Sequence, residues 1–106
     1  MVTLKKGKEF EFIYKRGAKK HGYFLILFFY RGSNKKVGFT VSKKVGDAVI
    51  RNRVRRQLRE IYRFYDSNID DGQVVIVAKS SIVGSHFSDI QREFYMLGMR
   101  LGFLHQ

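Results

Sequence analysis

The residues best placed to do chemistry in this chain are arginines. Beyond Asp47, Arg51, Arg55 and Arg59 recur at i, i+4 spacing, Asn52, Arg56 and Arg63 follow beside them, and Arg53 stands on the far side. On a helix turning about 100° per residue, these groups cover nearly everything outside an apolar stripe roughly 80° wide. That stripe is Ile50, Val54, Leu58, Ile61 and Tyr65, and Glu60 is the one acid on the cationic face. Like charges at i, i+4 cost a few tenths of a kcal/mol each, so something outside the helix must neutralise them. A guanidinium bridges two phosphate oxygens or stacks on a base, which makes phosphate recognition the expected chemistry. Just upstream, Ser42-Lys43-Lys44-Val45-Gly46 leads into the helix N-terminus, where backbone N–H groups favour anions.

Groups for bond-breaking chemistry are missing. A protein nuclease needs a positioned acid and base or carboxylates that collect a metal. His21, His86 and His105 fall in an expected loop, a helix start and the terminus, and none has a motif partner. Asp66, Asp70 and Asp71 crowd a turn before Gly72 and read as a solvated turn rather than a cation site. The expectation is therefore no catalytic residue and no metal ligand in the polypeptide.

Composition points the same way. The chain carries 21 Lys and Arg against 9 Asp and Glu, a net charge of +12, and its pI is near 10.2. Solubility alone needs a charge of about 2 to 8, so a polyanionic partner is expected. A hydrophobic share of 44% with 15% aromatics excludes a disordered tail. Cysteine is absent, which excludes disulfides and thiolate metal sites and fits a reducing compartment. The longest apolar run, Tyr23 to Tyr30, is too short to span a bilayer, and no signal-peptide run follows Met1. The reading is one cytoplasmic domain over residues 1–106, with no membrane partner and no obligate protein partner.

The elements that must position these groups follow from periodicity. Phe10, Ile13 and Tyr14 predict a short amphipathic helix from about Gly7 to Arg16, stopped by Gly17, with Ile13 as its core residue. Arg16 to His21 could add an edge strand guarded by its lysines. Tyr23 to Tyr30 and Val37 to Ser42 read as antiparallel strands separated by a Gly32-Ser33-Asn34 turn, and Val74 to Ala78 as a central strand covered on both faces. Phe24, Ile26 and Phe28 are expected on one face, although alternation does not say which face is core. The arginine helix runs from Asp47 to about Tyr65. A last helix begins at Ser85 or Ser88 as N-cap, carries Phe87, Ile90, Phe94, Leu97 and Leu101 as its stripe, and ends near Gly102. The order α-β-β-β-α-β-α makes an α+β sandwich, a small sheet packed with three helices.

The segment from Val37 to Glu60, with Ser42-Lys43-Lys44-Val45-Gly46 followed by Arg51-Asn52-Arg53, resembles the signature of the bacterial ribonuclease P protein subunit. Leu4-Lys5-Lys6, Glu9-Phe10, Tyr14-Lys15-Arg16-Gly17 and Val74 to Ala78 extend the likeness over almost the whole chain. The resemblance implies a mainly antiparallel four-stranded sheet with a left-handed βαβ crossover at the basic helix, against the usual right-handed preference. It implies binding of ribonuclease P RNA and precursor tRNA by Lys43, Lys44, Arg51, Asn52, Arg53, Arg55, Arg56 and Arg59. It also implies a cleft for the single-stranded 5′ leader, lined by Phe10, Tyr14, Lys15, Phe24 and Phe28. The activity implied is endonucleolytic removal of the leader in tRNA 5′ maturation, with the active site and most of the Mg²⁺ in the RNA subunit.

Three other readings remain at this point. A ribosomal or rRNA-maturation protein could use the same arginine helix, and an independent ribonuclease would need His21 or His86. A DNA-binding helix-turn-helix fits worse, because the arginine helix follows a strand rather than a paired helix.

Overall fold

The computed structural model describes residues 1–106. Its elements are α1 (Gly7–Arg16), β1 (Ala18–His21), β2 (Leu25–Arg31), β3 (Lys36–Thr40), α2 (Ala48–Tyr65), β4 (Gly72–Ala78) and α3 (Phe87–Leu101), with single 3₁₀ turns at Asp66–Asn68 and Ser80–Ile82. The order matches the one read from periodicity, the possible edge strand being β1.

The four strands lie in the order β1-β2-β4-β3. β1 pairs antiparallel with β2 and β2 with β4, whereas β3 runs parallel to β4. The sheet is thus mixed and mainly antiparallel, and β3–α2–β4 is the crossover unit whose left-handed sense the resemblance implies. β4 is central as expected: Val74, Val75 and Ile76 are all buried.

Strand alternation divides the core between two faces. Leu25, Leu27 and Phe29 of β2 join Val74 and Ile76 of β4 and the apolar sides of α2 and α3 in one large cluster. On the opposite face α1 closes a smaller cluster of Leu4, Ile13 and Val75, with Phe10, Phe28 and Val77 against it. Ile13 is fully buried, as its helical position predicts.

Close approach of α1 to the sheet depends on Gly38. A Cβ at that position would fall 2.5 Å from Phe10 Cε1 and 3.0 Å from Leu4 Cδ1. The N-terminal segment also bonds to the start of β3: Leu4 N donates to Val37 O at 2.8 Å and Val37 N to Val2 O at 3.0 Å.

Two expectations need correction. Neither Ser85 nor Ser88 caps α3: the N-cap position is His86, which makes no side-chain cap, and Ser85 Oγ instead donates to Ile82 O at 2.6 Å. The 3₁₀ turn before the helix satisfies Ser85 locally, so it does not reach the helix N–H groups. Phe24 does not share a face with Phe28. It precedes β2 in a bend, where alternation no longer applies, and packs with the large cluster beside α3.

Candidate nucleic-acid interface

α2 starts where sequence chemistry says it should. Asp47 is its N-cap and accepts the Ile50 N–H at 3.0 Å, a bond that fixes the first turn. Val54, Leu58, Ile61 and Tyr62 are buried, so the buried face takes in Tyr62 beside the expected stripe. Burial and the nearby Asp66 carboxylate push the Tyr62 phenol up to about 12. At the other end of the helix Lys35 Nζ donates to Asp66 O at 2.6 Å.

The rest of α2 is cationic and uncompensated. The ion pairs of the whole chain involve Arg31, Lys36, Arg92 and His105, and no arginine of α2 takes part in one. Glu60 neutralises none of its helical neighbours. Asn52, Arg53, Arg56 and Arg59 are exposed, while Arg51 and Arg55 are half-buried. Arg55 is held in place: Nη1 donates to Asn52 Oδ1 at 3.2 Å and Nη2 to Val41 O at 3.4 Å. Arg59 lies over the Phe39 ring at 5.8 Å, a cation–π distance. Arg51 Nε is buried without a hydrogen-bond partner. Lys43 and Lys44 are exposed on the turn between β3 and α2.

Across the sheet, α1 and β2 bring a second set of residues together. Phe10 and Tyr14 stand one helical turn apart with ring centroids 6.3 Å apart, and Tyr14 meets Phe28 edge-on at 4.9 Å. Tyr14 is exposed, Phe10 and Phe28 are half-buried, and Lys19 Nζ sits 5.9 Å from the Phe28 centroid. Lys15 is exposed beside them in the last turn of α1. Of the five residues expected in the leader cleft, Phe10, Tyr14 and Phe28 converge, Lys15 flanks them, and Phe24 stands on the other side of the sheet. The aromatics form an apolar surface with one side packed and the other open.

Several contributors escaped the sequence reading. Glu93 of α3 accepts three backbone N–H bonds, from Tyr23 at 2.6 Å and from Phe24 and Leu25 at 2.8 Å, pinning the loop that enters β2. A lone Glu on a helix face gives no such signal. Phe12, on the far side of α1, pairs edge-on with Tyr30 at 4.9 Å, and both rings are exposed. The histidines do not gather. His105 Nε2 lies 2.9 Å from Asp70 Oδ1, and Arg31 Nη1 donates to Asp70 Oδ2 at 2.9 Å, so Asp70 ties down the chain end. No three His, Asp or Glu side chains come together in a metal-binding group. No helix is long and apolar enough to cross a membrane.

Fold and charge together define a basic α+β sandwich with an arginine helix left open on one side of the sheet and an aromatic shelf on the other. The chain belongs to the ribonuclease P protein family, whose family model, described as Ribonuclease P, matches residues 1–102. It is 40% identical over 91 residues to the ribonuclease P protein component of Nitratiruptor sp., a match covering 86% of this chain and 84% of that protein. The Thermoanaerobacter sp. component is 36% identical over 104 residues, covering 94% and 89%. Among solved structures, the Staphylococcus aureus RNase P protein superposes with a TM-score of 0.91 at 23% identity, covering 99% of both chains. The Thermotoga maritima RNase P protein gives 0.83 at 22% identity, covering 94% of this chain and 97% of that one. These structural likenesses establish the shared fold.

Proposed function

We propose that this protein binds the catalytic RNA of ribonuclease P and the 5′ leader of precursor tRNA, and so promotes endonucleolytic removal of the leader. The observation that carries the reading is the set of α2 arginines with no acidic partner anywhere in the chain. A helix that retains such repulsion is completed by phosphates. Lys43, Lys44, Arg51, Asn52, Arg53, Arg55, Arg56 and Arg59 supply the surface for the catalytic RNA and the substrate.

Phe10, Tyr14 and Phe28, with Lys15 beside them, supply the leader surface. Stacking on aromatic faces tolerates any base, which suits an enzyme acting on many precursors. Phe24 packs with the large core cluster on the opposite face, so the leader contact is assigned to the other three rings.

The polypeptide is given no catalytic role. Mg²⁺ and the hydrolytic step are assigned to the RNA subunit, as the likeness to the ribonuclease P protein family implies. What the protein contributes is cationic screening and grip, in the compartment where tRNA precursors are made, the cytoplasm.

Reconstitution tests the reading. Mixing the protein with a ribonuclease P RNA at low Mg²⁺ should restore leader cleavage, whereas the protein alone should cleave nothing. Tight binding to ribosomal RNA without rescue would mark an rRNA-maturation protein instead.

A further inference from the structure

The flank of α2 turned away from Arg55 and Arg59 borders a groove of about 440 Å³. Its other wall is the segment from Ile82 to His86, which leads into α3. Ile50, Val54 and Ile82 make an apolar floor, and Arg53, Gln57 and His86 make a polar rim. The lining includes no carboxylate. By contrast, a cavity of about 300 Å³ beside β1 and α3 mixes Asp89 and Glu93 with Arg92 and Arg100, and so carries both signs.

Charge and shape restrict what fits. Arg53 joins no ion pair, and His86 leaves the N-terminus of α3 without a side-chain cap. Ser85 gives its proton to Ile82 O, so its free lone pairs are all it offers inside the groove. Val83 stands 47% exposed at the groove wall. The cavity falls in the range of small-ligand sites, roughly 300 to 1,000 Å³. An occupant that joins an apolar body to an anion matches the floor and the Arg53 rim, and a nucleotide has both. Arg53, a member of the RNA-binding set assigned above, lines the groove, which favours RNA over an acidic peptide, and the peptide has no planar body for the floor.

We propose that this groove holds one flipped-out nucleotide of RNA, its base on Ile50, Val54 and Ile82 and its phosphate at Arg53 and His86. The proposal rests on the RNA-binding reading above and adds to it a base-holding groove beside Arg53. The nucleotide comes from the catalytic RNA or from the precursor.

Titration of the isotope-labelled full chain with adenosine monophosphate, adenosine and inorganic phosphate tests the site directly. Adenosine monophosphate should shift the backbone amides of Val83, Gly84 and Ser85 and the Gln57 side-chain amide, and should bind about tenfold tighter than either half, a difference of about 1.4 kcal/mol. Val83→Trp should fill the groove and abolish the shifts; should that variant fail to fold, His86→Ala should weaken them several-fold. Shifts confined to α1, the sheet, or Arg55 and Arg59 would overturn the proposal. So would a response of the groove to a poly-glutamate peptide but not to the nucleotide.

The assembled holoenzyme separates the sources. If the nucleotide belongs to the catalytic RNA, Val83→Trp weakens assembly; if it belongs to the precursor, assembly holds and precursor affinity falls. Unchanged affinity for both RNAs overturns the proposal. Arg59→Ala in the same assays reports on the RNA-binding reading itself, so silence of the groove variant alone sinks only the groove.

Discussion

Tyr14 Oη lies 2.7 Å from Thr40 Oγ1, joining α1 to the end of β3. The next residue, Val41, offers its carbonyl to Arg55 of α2. Consecutive residues at the exit of one strand therefore hold the aromatic shelf on one side and the arginine helix on the other. The spacing between the two surfaces is set by a single stretch of extended backbone.

Removing that tie while keeping the ring separates its structural role from stacking. Tyr14→Phe should cost about 0.5 to 1.5 kcal/mol of stability, read as a lower denaturant midpoint. Precursor affinity should hardly change, because the aromatic face remains.

Removing the aromatic face should do the reverse. Phe10→Leu or Tyr14→Leu should weaken precursor tRNA binding by roughly 1 to 3 kcal/mol per stacked base, with little effect on mature tRNA, which has no leader. Equal losses for the two ligands in a binding titration would make these residues part of the fold only.

Salt dependence reports on the arginines. Arg59→Ala, or the double variant with Arg55→Ala, should lower RNA affinity and flatten its logarithmic salt slope by about 0.7 to 0.9 for each phosphate no longer neutralised. An unchanged slope would mean that these guanidinium groups touch no phosphate.

Acid should loosen the chain end. The hydrogen bonds from Arg31 and then His105 hold the Asp70 carboxyl below its usual value. A depressed folded value means that the stabilisation is complete above the ordinary carboxylate range and is lost as pH falls through the lowered one. Hydrogen exchange at Leu104 and His105 should accelerate over that acid window, and Asp70→Asn should remove the pH dependence while weakening the tether.

Glu93→Ala should be among the more damaging single changes away from the apolar core. It leaves three backbone N–H groups without their charged acceptor, a loss of about 2 to 3 kcal/mol. Thermal melting should show it, and Tyr23 and Phe24 amides should lose protection together.

Helix and strand positions were legible because each amphipathic element keeps one period along its length: Ile13 and the stripe from Val54 to Ile61 are buried where spacing puts them. The arginine surface was legible because it is local to one helix. Long-range ties were not. Glu93 acts on residues some 70 positions away, Gly38 matters because Phe10 comes to rest on it, and Tyr62 is buried just outside the stripe that the apolar spacing marks. Phe24 misled for a related reason: strand alternation was extended one residue past the point where the chain bends. The groove beside Arg53 is built from α2 and a loop that periodicity leaves blank.

β2 neighbours β4 rather than β3, and Glu93, which fastens the start of β2, comes later still. During synthesis the ribosome therefore releases the whole arginine helix before the sheet beneath it can close, since non-local pairing must wait for the late strand. For that interval the nascent chain is a loose polycation emerging beside an abundance of RNA. Its birth order exposes it to its own class of partner, and to every competing one, before it has a shape with which to choose.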